Sequence, residues 1–230
     1  MTDRYKIDWL DLGRIDYQKS YAIQEYLHGQ RRNGKISDLI IFQECYPVLT
    51  IGKTGSEKHL LLSKEELAQR NIDIVYTSRG GDITYHGPGQ LIISPLLYLR
   101  DYMGSVVKYL RLLEGIVISL LEDYGICGER VEGASGVWVN QKKLAAIGIA
   151  IKNGVTQHGI ALNVAPNLSH FEWIIPCGLK NTGITSLDDL GISNISMEKV
   201  KEDFLREFSS SFNVEIHQKP IKWEVFKNDL

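Results

Sequence analysis

The stretch from Val106 to Val164 constrains this chain more than any other. Val106, Leu110, Leu113, Val117, Leu120, Leu121 and Tyr124 recur at helical spacing and give one broad apolar face. Three β-like runs follow, at 136–140, 144–151 and 159–164, broken by Asn140-Gln141 and Asn153-Gly154. The second break is a strong hairpin signal. A long one-sided helix followed by a meander of strands predicts an α/β fold in which helix packs on sheet.

The flanking segments predict further elements. Residues 7–12 read as a first strand and 17–30 as a helix with Ala22, Ile23, Tyr26 and Leu27 on one face. Residues 39–42 and 48–51 read as a hairpin around Cys45-Tyr46-Pro47. Ser63 and Glu66 form a capping-box signature for a short helix through Gln69. Residues 72–77 read as a strand running into a glycine-rich loop. Residues 91–99 are apolar and β-like, with Pro95 predicting a break or an edge. A last amphipathic helix spans 197–212. There is no repeat, low-complexity tract or linker, so one domain over 1–230 is expected, with 186–230 as a candidate C-terminal subdomain.

Bulk properties exclude several classes. The formal net charge is −2, and Arg31, Arg32 and Lys35 form only a short cluster that reads as a solvated helix end, so nucleic-acid binding is not expected. No apolar run has the length of a bilayer span. The first eleven residues lack the apolar core of a signal peptide, and the three cysteines show no CxxC, so a reducing, cytoplasmic setting is expected. The six histidines show no HExxH and no finger spacing with cysteine, and no metal is expected. Gly52-Lys53-Thr54 mimics the end of a phosphate-binding loop, but Pro47 stands where its first glycine belongs, and the residues between read as a strand.

Three stretches can carry chemistry. Arg79-Gly80-Gly81-Asp82-Ile83-Thr84-Tyr85-His86-Gly87-Pro88-Gly89-Gln90 has four glycines in twelve residues, which lets backbone approach a ligand and offers N–H groups to an oxyanion. A glycine-rich hairpin around a buried Arg or His explains the composition equally well. Lys143-Leu144-Ala145-Ala146-Ile147-Gly148 is a wall of small residues with one charge at its mouth, and standing alone it reads as a surface lysine before a packed strand. Pro176-Cys177-Gly178 puts a cysteine on a turn, where it can react, whereas Cys127 resembles a cysteine in an element interior.

Taken together and in this order, these stretches resemble the lipoyl(octanoyl) transferase family. So do Glu44 to Gly52, Val107 to Glu114, and His158-Gly159-Ile160-Ala161-Leu162-Asn163. The resemblance covers most of the chain and fades beyond about Ser186. Two departures stand out. Ser94 precedes Pro95 where the family carries Tyr-Pro, and Cys45-Tyr46 replace a His-Pro pair. The resemblance implies an α+β fold shared with lipoate and biotin ligases, with a central mixed sheet flanked by helices. It implies transfer of an octanoyl group from octanoyl-acyl carrier protein to a lysine of a lipoyl domain. The acceptors would be 2-oxoacid dehydrogenase complexes or the glycine cleavage H protein. No cofactor is implied, and the enzyme is expected to act as a monomer. Cys177 would be the acyl-bearing nucleophile and Lys143 its partner. Arg79, Gly80, Gly81, Asp82, Ile83, Thr84, Tyr85 and His86, with Ala146, Ile147, Gly148, Gly159, Ile160 and Ala161, would line the acyl site. His86 and His158 would either order that site or simply pack.

The chemistry suits these residue types. A free thiol has a pKa near 8.5, so only about 3% is thiolate at pH 7. An ammonium a few ångströms away increases that fraction, provided the lysine is sheltered from water. Thioester exchange is close to neutral and amide formation is downhill, so no ATP is needed. Burying an eight-carbon chain could supply roughly 5 kcal/mol at about 0.8 kcal/mol per CH₂. Lys142 and Lys143 are neighbours on a strand and must face opposite ways. Lys142 is then a candidate contact for the acidic carrier. The competing readings are an ATP-dependent lipoate or octanoate ligase on the same fold, and a non-catalytic acyl-carrier-binding module.

Overall fold

The computed structural model describes residues 5–175, 183–192, 194–218, 220, 221 and 223. Among these, a large mixed sheet runs in the order β12-β1-β2-β6-β10-β9-β8-β7, with β11 added to β9. Its main strands are β1 (Lys6–Ile15), β2 (Leu39–Cys45), β6 (Gln90–Leu96), β8 (Ala134–Val139), β9 (Lys142–Lys152) and β10 (Val155–Asn163). Short strands β7 (Glu129–Val131), β11 (Gly183–Ile184) and β12 (Glu215–Ile216) complete it. A second sheet, β4-β3-β5, holds β3 (Val48–Ile51), β4 (Asp73–Tyr76) and β5 (Ile83–His86).

Helices α3 (Val106–Asp123) and α4 (Met197–Phe212) cover one face of the large sheet. Their buried residues merge with Ile7, Phe42, Leu91, Ile93 and Leu162 in the main core. Helix α1 (Tyr17–Arg32) covers the other face, where Ile23 and Leu27 meet Leu10, Leu39, Ile41 and Leu96. The short helix α2 (Lys64–Gln69) has the expected capping box, with Ser63 and Glu66 satisfying each other's backbone N–H groups. The meander behaves as its turns require. Asn140, Gln141, Asn153 and Gly154 all take positive φ, the backbone that tight two-residue hairpins need.

Three expectations are corrected. Strands β2 and β3 are not a hairpin. β2 lies between β1 and β6, while β3 has both edges taken by β4 and β5 in the other sheet. Residues 83–86 are a strand rather than part of a long loop. Pro95 neither breaks nor edges its strand, because β6 is interior, between β2 and β10. The reason is local. The β6–β10 ladder runs from Asn163↔Gln90 to Ile160↔Ile93 and stops before Pro95. Beyond it, the Thr156 hydroxyl donates to Pro95 O at 2.7 Å and accepts from Leu97 N at 2.9 Å. A side chain thus joins the strands where proline has no N–H to offer.

Candidate active site

A cleft of about 620 Å³, counting its open mouth, lies between α1, the inner strands of the large sheet and the loop after β4. Its lining includes Arg79, Gly80, Gly81, Asp82, Thr84 and His86 from one wall. Ala146, Ile147, Gly148, Gly159, Ile160 and Ala161 form its floor. Lys143 lines it as well and is only 6% exposed. Pro176, Cys177 and Gly178 lie outside the described residues.

Strand alternation decides who faces the cleft. On β5, Thr84 and His86 point into it, while Ile83 and Tyr85 point the other way into the core of the small sheet. The Tyr85 hydroxyl meets His170 Nδ1 at 2.7 Å there. Ile83 and Tyr85 are therefore corrected from lining residues to core residues, because successive strand residues occupy opposite faces.

The same rule taken alone would give the wrong lysine. Counting back by twos from Gly148 and Ala146 along β9 reaches Lys142. A β-bulge reverses the parity: Val137 pairs with Ala145 but Trp138 pairs with Lys143, so β9 carries one extra residue there. Leu144 and Ala145 both enter the main core, and Lys143 turns to the cleft side beside Ala146 and Gly148. The Lys143 ammonium sits 4.6 Å from the centre of the Trp138 ring. Lys142 is exposed and lies 3.6 Å from Asp189 Oδ2.

The loop above the floor is fixed by its backbone. Gly80 N donates to Ile149 O at 2.9 Å, and a Cβ on Gly148 would come within 2.9 Å of Gly80 O. Arg79 donates from Nη2 to Thr50 O at 2.7 Å and to Thr50 Oγ1 at 2.9 Å, and from Nη1 to Gly80 O at 3.1 Å. The Asp82 carboxylate turns away from the floor, accepting from Ser56 N at 3.0 Å and pairing with His59. Behind the Lys143 end, Glu114 on α3 is fully buried. It accepts from Arg111 Nη1 at 2.7 Å, Arg130 Nε at 3.1 Å and Gly136 N at 3.1 Å, which pins the start of β8.

A directional hydrogen-bond chain runs under the cleft. Asn163 Nδ2 donates to Thr185 O at 3.0 Å, and a backbone carbonyl can only accept. Asn163 Oδ1 therefore accepts from Gln90 Nε2 at 2.9 Å, and Gln90 Oε1 faces His86 Nδ1 at 2.7 Å. That places the proton of His86 on Nδ1. Its Nε2 is left to accept from the Thr50 hydroxyl at 3.2 Å, whose oxygen accepts from Arg79. Burial, reinforced by the Arg79 charge, holds His86 down at about 4, so it is neutral at pH 7. His158 is held down to about 3 by burial first and then by Arg79, His86 and Lys53. It takes a positive φ of 58°, meets Ser78 Oγ at 2.9 Å and stacks on Tyr21. Neither histidine can act as an acid at neutral pH; both order the wall.

Sequence reasoning missed the α1 wall. Tyr17 and Gln24 line the cleft, and Tyr17 stacks on His86 with ring centres 5.5 Å apart. Burial pushes the Tyr17 phenol up. The available signal was a polar stripe at helical spacing, Tyr17, Ser20, Gln24 and His28, all buried. Of the expected face of this helix, Ile23 and Leu27 are buried and Ala22 is exposed. Ile92, Ser94 and Ser135 also line the cleft. Cys127, expected in an element interior, is exposed, and Cys45 is buried with its thiol pushed up to about 12. Among the described residues no group of three or more His, Cys, Asp or Glu could hold a metal ion, and no helix is long and apolar enough to cross a membrane.

This fold and cleft define a class. The family model of the lipoyl protein ligase A/B catalytic domain matches residues 16–209. A solved lipoate-protein ligase A with bound ATP shares the fold, with a TM-score of 0.80 at 16% identity over 99% of this chain and 94% of that one. Nearer in sequence is the octanoyltransferase of Solibacter usitatus, 43% identical over 89% of this chain and 92% of its own. That of Caldicellulosiruptor bescii is 44% identical over 88% and 92%. The chain belongs to the lipoyl(octanoyl) transferase family and is an acyltransferase.

Proposed function

We propose that the enzyme moves an octanoyl group from octanoyl-acyl carrier protein to a lysine of a lipoyl domain through a thioester on Cys177. The Cys177 thiolate attacks the carbonyl carbon of the donor thioester, and the pantetheine thiolate leaves with the proton of the Lys143 ammonium, which leaves Lys143 neutral and able to accept a proton in the next step. The acceptor lysine amine then attacks the acyl-enzyme. An amide bond forms, Cys177 leaves as thiolate, and the amine proton passes to Lys143. Arg79, Gly80, Gly81, Thr84 and His86 form one wall of the acyl site, with Ala146 to Gly148 and Gly159 to Ala161 beneath. Lipoyl domains of 2-oxoacid dehydrogenase complexes or the glycine cleavage H protein are the acceptors, met in the cytoplasm by a monomer.

One observation carries this reading: the bulge at Leu144 that turns a buried Lys143 into the cleft, beside a floor of small residues. A lysine so sheltered suits both roles the chemistry asks of it. Strand β11 adds a second support. It pairs Ile184 with Lys143, and Thr185 N donates to Lys143 O at 3.0 Å, so the chain returns to the lysine soon after residue 177.

The test is an intact-mass measurement with octanoyl-acyl carrier protein, without ATP or acceptor. A gain on the order of 126 Da is expected for an octanoyl-enzyme. It should be released by neutral hydroxylamine, and the Cys177→Ser protein should carry no hydroxylamine-labile adduct. No adduct on the wild type with intact donor would overturn the thioester route and leave the ATP-dependent ligase as the reading to test.

A further inference from the structure

The α1 end of the cleft is polar, lined by Tyr17, Gln24 and Ser94. Gln24 lines it and is 2% exposed. Its Nε2 donates to Ser20 Oγ at 3.3 Å, and the Ser20 hydroxyl is itself committed to Gln43 Oε1. The Gln24 carbonyl oxygen Oε1 is buried and has no hydrogen-bond partner among the described residues. Ser94, also buried, contributes a small hydroxyl-bearing side chain to the same cleft at a position where the family pattern has a tyrosine.

Strand geometry puts this end where the tip of an acyl chain would lie. From Lys143 to Gly148, β9 advances five residues, roughly 16 Å at about 3.3 Å per residue. An extended octanoyl chain spans roughly 9 Å with C–C bonds of about 1.5 Å. The Lys143 side chain leans along the strand toward Gly148, its Cε lying 3.5 Å from where a Cβ on Gly136 would stand, and spans about 6 Å of that distance, so a chain held by its carbonyl at the ammonium ends near Gly148 and Gly159, which pair with each other. Ser94 lies one residue beyond the Ile93↔Ile160 pair, alongside Gly159. The floor there carries no side chain, and the wall offers Ser94 and Gln24.

An acceptor buried without a donor is costly, and a ligand that brings the donor recovers that cost. We infer that the inner end of the cleft is a hydrogen-bonding subsite for the distal end of the acyl chain, one that takes a chain ending in a hydroxyl. The hydroxyl donates to Gln24 Oε1 and lies within the reach of Ser94. This inference rests on the acyl-transfer reading of the same cleft.

The experiment is a competition between octanoyl- and 8-hydroxyoctanoyl-acyl carrier protein, read as the ratio of their kcat/KM values in each protein. Wild type is expected to use the hydroxylated donor at least as well as the plain one. Gln24→Leu should lower the ratio on the order of ten-fold, and Ser94→Ala by a smaller factor in the same direction. A wild-type ratio below parity, or one that neither variant lowers, overturns the subsite. Should Gln24→Leu not fold, Ser94→Ala decides. Transfer from neither donor would instead count against the transfer reading. Calorimetric titration of wild type and variants with octanoic and 8-hydroxyoctanoic acids then decides the subsite by the same ratio of affinities.

Discussion

Two polar chains flank the cleft, and they end differently. The one beneath the sheet wall is closed: Thr185 O, Asn163, Gln90, His86, Thr50 and Arg79 follow one another, each hydrogen bond fixing the direction of the next. The one on α1 is open: it runs from Gln43 through Ser20 to Gln24 and stops at a buried oxygen with no donor. A closed network is scaffold, because each member has one arrangement that satisfies it. An open one has capacity left, and in an enzyme cleft that capacity faces a ligand.

The difference can be strained from either side. The largest effect is expected for the charge the scaffold surrounds: Lys143→Met should lower acyl transfer by about 10² to 10⁴, the usual weight of a positioned proton-transfer group. Steady-state rates check it, and an unchanged rate would show that the cleft does not need its cation. Next comes the closed chain. Asn163→Leu strands Gln90 Nε2 and Thr185 O, so urea unfolding should report a loss of about 3 kcal/mol.

Acid probes the same chain more gently. His86 and His158 have folded pKa values below the ordinary 6.5, so the unfolded state takes up their protons first. Stability is whole above about pH 6.5 and falls as pH drops toward 4, at about 1.4 kcal/mol per pH unit for each histidine. By pH 5 each contributes a loss of about 2 kcal/mol, and His86→Gln should remove its share of the slope. An identical pH profile in that variant would separate His86 from the network. The smallest effect is expected on the open chain. Gln24→Leu should move the unfolding free energy by less than about 1 kcal/mol, since its oxygen already lacks a partner. A loss as large as that of Asn163→Leu would erase the distinction.

Much of this architecture is legible in the sequence. Helices α3 and α4 follow from unbroken helical periodicity, and the meander from Asn-containing turns that accept positive φ. What failed depended on long-range pairing. Nothing local tells that Val48–Ile51 leaves the sheet of its neighbour, or that the Thr156 hydroxyl will bridge Pro95 O and Leu97 N beyond the end of the β6–β10 ladder. The site was legible as motifs, but not in which residues of a motif face inward. Thr84 and His86 do, and Ile83 and Tyr85 do not, because β5 alternates between a cleft and a core. The α1 wall escaped because Gln24 and Tyr17 lie on a helix whose aliphatic Ile23 and Leu27 mark a separate buried face.

The extra residue in β9 has a genetic consequence. Which of two adjacent lysines serves the cleft is set by counting, since both carry the same functional group and only the insertion at Leu144 separates their fates. Deleting the Leu144 codon would remove the bulge and leave Lys143 two positions before Ala146, still facing the cleft, whereas deleting either lysine codon leaves the remaining lysine directly before Leu144, in the place Lys143 now holds. The locus thus holds a spare copy of its own key side chain, one reading step away.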